Sequence, residues 1–453
     1  MLIRTRRDFM KAAVSGMGAL GGLAKLGELN ALASVSPNYK ALVCIFLAGG
    51  NDSHNMVIPV STALQNYNTY AQGRQGLALP QAGLQMINNG ADVYGLHPLM
   101  PEIASLYTAG NAAVVANVGM LVQQNTTRAT FQSQNLALLP PQLFSHSDQT
   151  NQWQAAVPST TAFLGWGGQV EDKLASYNTG AAFSPITSTS GCGLFCTGQS
   201  TSAATVPVGG ASLLQGATSS SRLAAVNALM NFDNGLKLVT AANGVFNRGV
   251  GFSQALNAAL ATAQINTPFP STLIGAQLQT VAKIISIQSA LSINRQVFFC
   301  QLGGFDTHGS QSGAQDPLLQ QLSQAVGAFY TALSQEIGAD KQTLTFTASE
   351  FGRTLQPNGN AGTDHAWGSH HLIFGAGVNN GGALHGGQFA GQFPSLALGG
   401  PDDANLRGTL IPTTSVDQYA ATMALWFGLD PSLINTVFPN VQHFSSYNLG
   451  FLG

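Results

Sequence analysis

Two apolar runs with almost no polar alternation stand out early in the chain, ALVCIFLAGGND at 41–52 and AAVVANVGM at 112–120. Strands buried on both faces read this way. Between them, HPLMPEIASLYTAG at 97–110 spaces its apolar residues helically and ends in glycine. The three segments predict a β-α-β unit, interrupted by a stretch rich in Gln and Asn. Helical periodicity returns at 222–241, 252–265 and 275–292, and a strand is expected at 296–306. A helix over 317–338 and strands at 343–349 and 371–378 follow. This alternation predicts an α/β fold, a mostly parallel central sheet flanked by helices. Residues 155–225, rich in Gly, Ser, Thr and Ala, read as irregular. They open an irregular and helical insertion, about 155–295, in a single domain spanning 34–453.

Charge changes the picture. The 453 residues carry 17 Lys and Arg against 19 Asp and Glu, only 8% charged, where about 25% is usual. With a net charge of −2 and no basic stripe, nucleic acid is excluded as a partner. The N-terminus reads as an address: TRRDFMK at 5–11, a Gly/Ala-rich apolar stretch, then ALA at 31–33. This is the pattern of a twin-arginine export signal, cut after Ala33. The apolar stretch is too short and glycine-rich for a membrane anchor, so no stable span is expected in the mature chain. The expected location is the bacterial periplasm or the medium, with the Tat translocase as partner during export. Cys44 and Cys300 sit in strand-like runs and read as buried thiols. Cys192 and Cys196, in GCGLFC, read as a small disulfide.

The scarce ionisable residues cluster at strand ends. The first strand ends in Asp52, the strand at 296 in Asp306 and His308, and the strand at 343 in Glu350 and Arg353. Asp364 and His365 precede the strand at 371, which opens on His370 and His371. In open α/β sheets, ligands bind beyond the carboxyl ends of the strands. Carboxylates gathered at one rim repel unless a cation joins them. Mixed Asp/Glu/His donors suit a divalent metal, one ion or two about 4 Å apart. Taken singly, each has a plainer role: Asp52 as a cap or turn residue, Glu350 and Arg353 as a surface pair, His370 and His371 as a polar strand edge.

The runs LVCIFLAGGNDSHNMVIP, SHSDQTNQWQ, QLGGFDTHGSQ and TASEFGRTLQPNGNAGTDHAWGSHHLIFGAGV resemble a family of Tat-exported bacterial proteins, domain of unknown function 1501. That family is a branch of the alkaline-phosphatase-like superfamily, which includes sulfatases. The resemblance runs from about residue 41 to the C-terminus. It implies a metal-dependent hydrolase of phosphate or sulfate esters, acting on a small molecule or a polymer. A non-catalytic, metal-stabilised periplasmic or surface binding protein of the same fold is the alternative. Asp52, Asp306, His308, Glu350 and His365 fall at positions where the superfamily carries metal ligands. Relatives have Asp-His where this chain has Glu350-Phe351, so Asp364, His370 or His371 is left to replace the missing ligand. The ions open to such a set are Zn, Mn, Mg, Ca and Fe. The nucleophile position falls in LFSHSDQTNQW, 143–153. Ser145 is the first candidate and Ser147 the second, with His146 as a ligand or proton carrier and Arg353 neutralising the transferred group. A hydroxide held by the metal is the other possible attacker.

Overall fold

The computed structural model describes residues 36, 38–135, 137–191, 193–208, 219–232 and 235–453. The export signal expected over 1–33 lies outside them, as does Cys192, one half of the expected disulfide. The chain opens with β1 (Lys40–Ala48), whose residues 41–47 are all buried. Ala41, Val43, Ile45 and Leu47 pack into one core, and Leu42, Cys44 and Phe46 into another on the opposite face. That two-sided burial is why the run lacks polar alternation.

The Gln/Asn-rich stretch that follows is structured. β2 (Val57–Ser61), β3 (Gln85–Asn89) and β4 (Asp92–Leu96) form a small antiparallel sheet, with helix α1 (Tyr67–Arg74) inside the β2–β3 connection. Helix α2 (Pro101–Thr108) starts on a proline, which lacks only an N–H the first turn cannot use, and leads into β5 (Ala112–Gly119).

The expected irregular segment is partly core. Helix α3 (His146–Ala155) precedes it, and α4 (Trp166–Leu174) buries Trp166, Val170 and Leu174. β6 (Ile186–Ser188) joins the main sheet, with β7 (Ala204–Thr205) beyond it. Two- and three-residue strands are too short to show a period, which is why the sequence pattern missed them. The helix expected over 222–241 is two helices, α5 (Ser220–Met230) and α6 (Lys237–Leu260). Gly235, at φ +76°, turns the chain before α6 begins. Helix α7 (Leu273–Ser286) lays Ile274, Leu278, Val281 and Ile285 on the core and hands over to β8 (Arg295–Gly303).

Helix α8 (Gln311–Thr331), β9 (Thr343–Ala348), β10 (Ser369–Phe374), β11 (Phe389–Ala390), β12 (Thr414–Ser415) and helix α9 (Val416–Phe427) complete the frame. The main sheet runs β11-β5-β10-β9-β1-β8-β6-β7, with β12 also paired to β5. β1 lies between β8 and β9, parallel to both. β10 alone runs against its neighbours β5 and β9. The sheet is therefore mostly parallel, as expected, but β10 and β9 separate β5 from β1. The expected β-α-β unit is not a pair of adjacent strands. The reversal of β10 has a second effect: its N-terminal end shares a rim with the C-terminal ends of β1, β8 and β9. Among the described residues, no helix is long and apolar enough to cross a membrane.

Asp417, in the first turn of α9, is fully buried. Burial pushes its pKa up to about 7, against hydrogen bonds from Asn440 and Ser415 that pull it down. Such a carboxyl stays protonated in the fold while the unfolded chain ionises near 3.8, so stability falls as pH rises from about 4 to about 7. Asp417→Asn is expected to flatten that fall, which at about 1.4 kcal/mol per pH unit has a ceiling of about 4 kcal/mol. Urea unfolding of both proteins at about pH 4 and about pH 8 measures it. Equal slopes in the two proteins would refute it.

Candidate metal centre

Glycines let the rim close. Gly49, just after β1, has φ +119°, and a Cβ there would lie 2.3 Å from the backbone nitrogen of Asp306. Only glycine allows this loop to rest on the loop after β8. Across that contact, four chain segments deliver side chains to one point. Asp306 and His308 follow β8, Glu350 and Arg353 follow β9, His365 precedes β10, and His146 opens α3.

The meeting point is Oδ1 of Asp306. His308 Nε2 lies 3.1 Å from it, His365 Nε2 3.3 Å and His146 Nε2 3.5 Å. Both Nη atoms of the buried Arg353 donate to the same oxygen at 3.1 Å. Each imidazole is held from behind at Nδ1. His146 Nδ1 is 2.8 Å from Glu350 Oε1, His365 Nδ1 is 2.8 Å from the carbonyl of Phe144, and His308 Nδ1 is 3.4 Å from Asp364 Oδ1. Carboxylate and carbonyl oxygens only accept, so Nδ1 carries the proton and Nε2 presents a lone pair.

Three lone pairs and a carboxylate oxygen therefore face one another. His308 Nε2 and His365 Nε2 are only 2.9 Å apart, and His146 Nε2 is buried without a hydrogen-bond partner. Bare acceptors at this spacing repel unless a cation stands among them. Imidazoles oriented through Nδ1 by oxygen acceptors are the usual arrangement of metal-ligating histidines. Ligand atoms about 2.0–2.1 Å from a tetrahedral ion lie roughly 3.4 Å apart, close to the separations found around Asp306. The residues present fit a divalent ion held by His146, His365 and Asp306, with His308 beside the last two. The donor atoms of His146, Asp306 and His365 all lie within 4.8 Å of one another.

The electrostatics agree. Burial pulls the pKa of Asp306 upward, but the Arg353 guanidinium beside it pulls the other way, and the carboxyl is held below its ordinary value. The hydrogen bond to Glu350 raises His146, whereas burial lowers His365. Arg353 is lowered by burial, opposed by Asp306, Asp364 and Glu350.

Several expected ligands take other places. Glu350 Oε1 is occupied by His146 Nδ1 and by the amide of Gly49 at 2.8 Å, so it orients the His146 ring. Asp364 likewise faces His308 while accepting from Asn358 at 3.0 Å and Arg407 at 2.7 Å. Asp52 is turned away from the cluster. It is buried against Arg74, accepts from Gln311, and receives the amide of His54 at 3.0 Å. His370 and His371 are correctly on β10 but lie inside the fold, one on each side of the sheet. His370 stacks on Phe393 at 4.5 Å and accepts the amide of Asn117, and burial holds its pKa well below the ordinary value. His371 packs against Trp153 at 4.8 Å, and burial takes it down to about 3. Both are neutral core histidines.

Ser145 is the N-cap residue of α3, but its hydroxyl does not cap the helix. It donates to Asp148 Oδ2 at 2.5 Å, with Ser147 Oγ 3.3 Å away. Sequence reasoning missed the holders: the carbonyl of Phe144, whose φ of +70° lies in the left-handed region, and Gln311, Asn358 and Arg407. Only Gln311 left a trace, four residues after Thr307 at the start of a helix.

Solved structures that this chain resembles are distant. The lipoteichoic acid synthase LtaP from Listeria monocytogenes shares 8% identity, with 89% of this chain and 78% of that one covered, at a TM-score of 0.34. The C-terminal periplasmic domain of EcEptC from Escherichia coli, in complex with Zn, shares 9% over 75% and 74%, at 0.30. An alkaline phosphatase from the Antarctic bacterium TAB5 shares 10% over 76% and 91%, at 0.27. Identities and TM-scores this low speak to no residue's role here. No curated protein matches the chain. The family described as protein of unknown function (DUF1501) matches residues 39–432, which span the whole rim and every residue around Asp306, and the chain belongs to that family.

Proposed function

We propose that this protein is an exported, metal-dependent hydrolase of phosphate or sulfate esters. The observation that carries the proposal is the convergence of three imidazole Nε2 atoms on Asp306 Oδ1, each ring oriented from behind through Nδ1. His146, His365 and Asp306 would hold the ion, with His308 beside them, and the ion would supply Lewis-acid polarisation of an ester oxygen. Arg353, with both Nη atoms beside the same carboxylate, offsets charge that gathers on the transferred group. Ser145 is the nucleophile. Its Oγ attacks phosphorus or sulfur as its proton passes to Asp148 Oδ2, 2.5 Å away, and the ester oxygen leaves with the bond's electron pair and takes up that proton. Water then attacks the phosphorus or sulfur carried on Ser145 Oγ, which leaves and regains a proton from that water, releasing phosphate or sulfate.

Ser145→Ala is expected to lower turnover at least about 100-fold with metal content unchanged. Elemental analysis beside a screen of phosphate and sulfate esters reads both quantities. Undiminished turnover in the variant would remove Ser145 from the reaction. One observation favours a non-catalytic binding protein: Ser145 and Ser147 bond to each other and to Asp148 rather than to the histidines. Stoichiometric metal with no turnover on any ester would decide for that reading.

A further inference from the structure

We infer that Gln311 is a positioning residue of the metal centre, its side-chain amide setting the distance between the two loops that carry the ligands. This rests on the reading of the centre given above. The first loop, after β8, holds Asp306 and His308 with Thr307 between them. The second, before β10, holds Asp364 and His365 with Thr363 just ahead. Gln311 Oε1 accepts from Thr307 Oγ1 at 3.1 Å and from Thr363 Oγ1. One carbonyl oxygen thus ties the residue between Asp306 and His308 to the residue two positions ahead of His365.

The amide cannot turn over. Its Nε2 donates to Asp52, a carboxylate already paired with Arg74, and an ionised carboxylate offers no proton in return. Arg74 is itself anchored, donating to the carbonyls of Thr354 and Leu355 at 3.0 and 2.9 Å. Gln311 is therefore fixed at both ends, by a buried ion pair below and two hydroxyls above. Arg74, Asp52, Gln311 and Thr363 are all fully or almost fully buried, so water does not compete for these bonds.

The backbone makes its own links between the loops. The Thr363 amide donates to the Thr307 carbonyl at 3.1 Å, and the Gln311 amide to the Ala361 carbonyl at 2.9 Å. These bonds keep the loops together when the side-chain amide is lost, so its removal shifts the ligands rather than unfolding the rim. The effect belongs to ligand geometry. Asp52, the first ligand expected from the sequence, acts in this arrangement at two removes from the ion.

The test uses the whole protein and metal alone. Gln311→Met keeps the volume and removes all three side-chain bonds, and Thr363→Val removes one hydroxyl donor at constant shape. Zn²⁺ affinity by isothermal titration, the Co²⁺ absorption spectrum and apo-protein melting are measured for each. Gln311→Met is expected to bind Zn²⁺ about 10–100-fold more weakly, the range seen when a ligand's supporting partner is lost. Its Co²⁺ bands should move, with apo melting lowered by the lost buried hydrogen bonds but the protein still folded, and Thr363→Val should fall between. If wild type binds Zn²⁺ and both variants match its affinity and Co²⁺ spectrum, Gln311 has no positioning role. If Gln311→Met does not fold, Thr363→Val decides on the same readings. If wild type binds no divalent ion, the centre and the positioning role fall together.

Discussion

Asp306→Ala is expected to abolish divalent-ion binding at the proposed centre. Every candidate donor lies within 3.5 Å of this one carboxylate oxygen, and so does the guanidinium of Arg353. Removing it takes away the only anion among the donors and leaves a buried arginine facing three imidazoles. Cation repulsion then replaces charge neutralisation at the same spot. The expected loss of metal affinity is at least about 100-fold, beyond the usual cost of losing a supporting partner alone. Metal content after dialysis, read by elemental analysis, checks it. Full metal occupancy in the variant would show that the histidines hold an ion without Asp306, or that the ion sits elsewhere.

Asp52→Ala should act by another route. Arg74 is wholly buried, and burial pulls its pKa down only to about 9, so it remains charged at neutral pH. Asp52 is the carboxylate that neutralises it. Deleting one partner of a buried ion pair typically costs about 3–5 kcal/mol, because the other charge is left without compensation. The metal-free protein is therefore expected to lose about that much in urea unfolding. Were Asp52 a ligand instead, metal-free stability would hold and only metal binding would fail. Measuring both in one variant separates the two roles.

The pair of variants also marks where sequence and structure part. A run such as 41–47 declares its two-sided burial, because in a strand each side chain's face follows from its position alone. The glycine-bounded strand ends declare a rim in the same local way. Asp306, His308 and His365 could be placed at that rim from their neighbours in the chain, and the structure brings all three together. His370 and His371 occupy successive positions of one strand and so point to opposite faces, and both faces proved to be core. Nothing local distinguishes a rim from a core when one strand of a parallel sheet is reversed.

By itself, the sequence determined the alternation of strand and helix, the buried central strands and the concentration of ionisable groups at strand ends. Each of these depends on contacts a residue makes through its own backbone direction. Only the tertiary structure decided that His146, far from Asp306 in the chain, lies beside it, that Glu350 and Asp364 face the Nδ1 atoms of His146 and His308, and that Asp52 turns to Arg74. Those assignments depend on which neighbour lies within about 3 Å of a side-chain atom, the reach of a hydrogen bond. That separation is set by strand order, strand direction and the glycine contact between loops, none of which is encoded within any one segment.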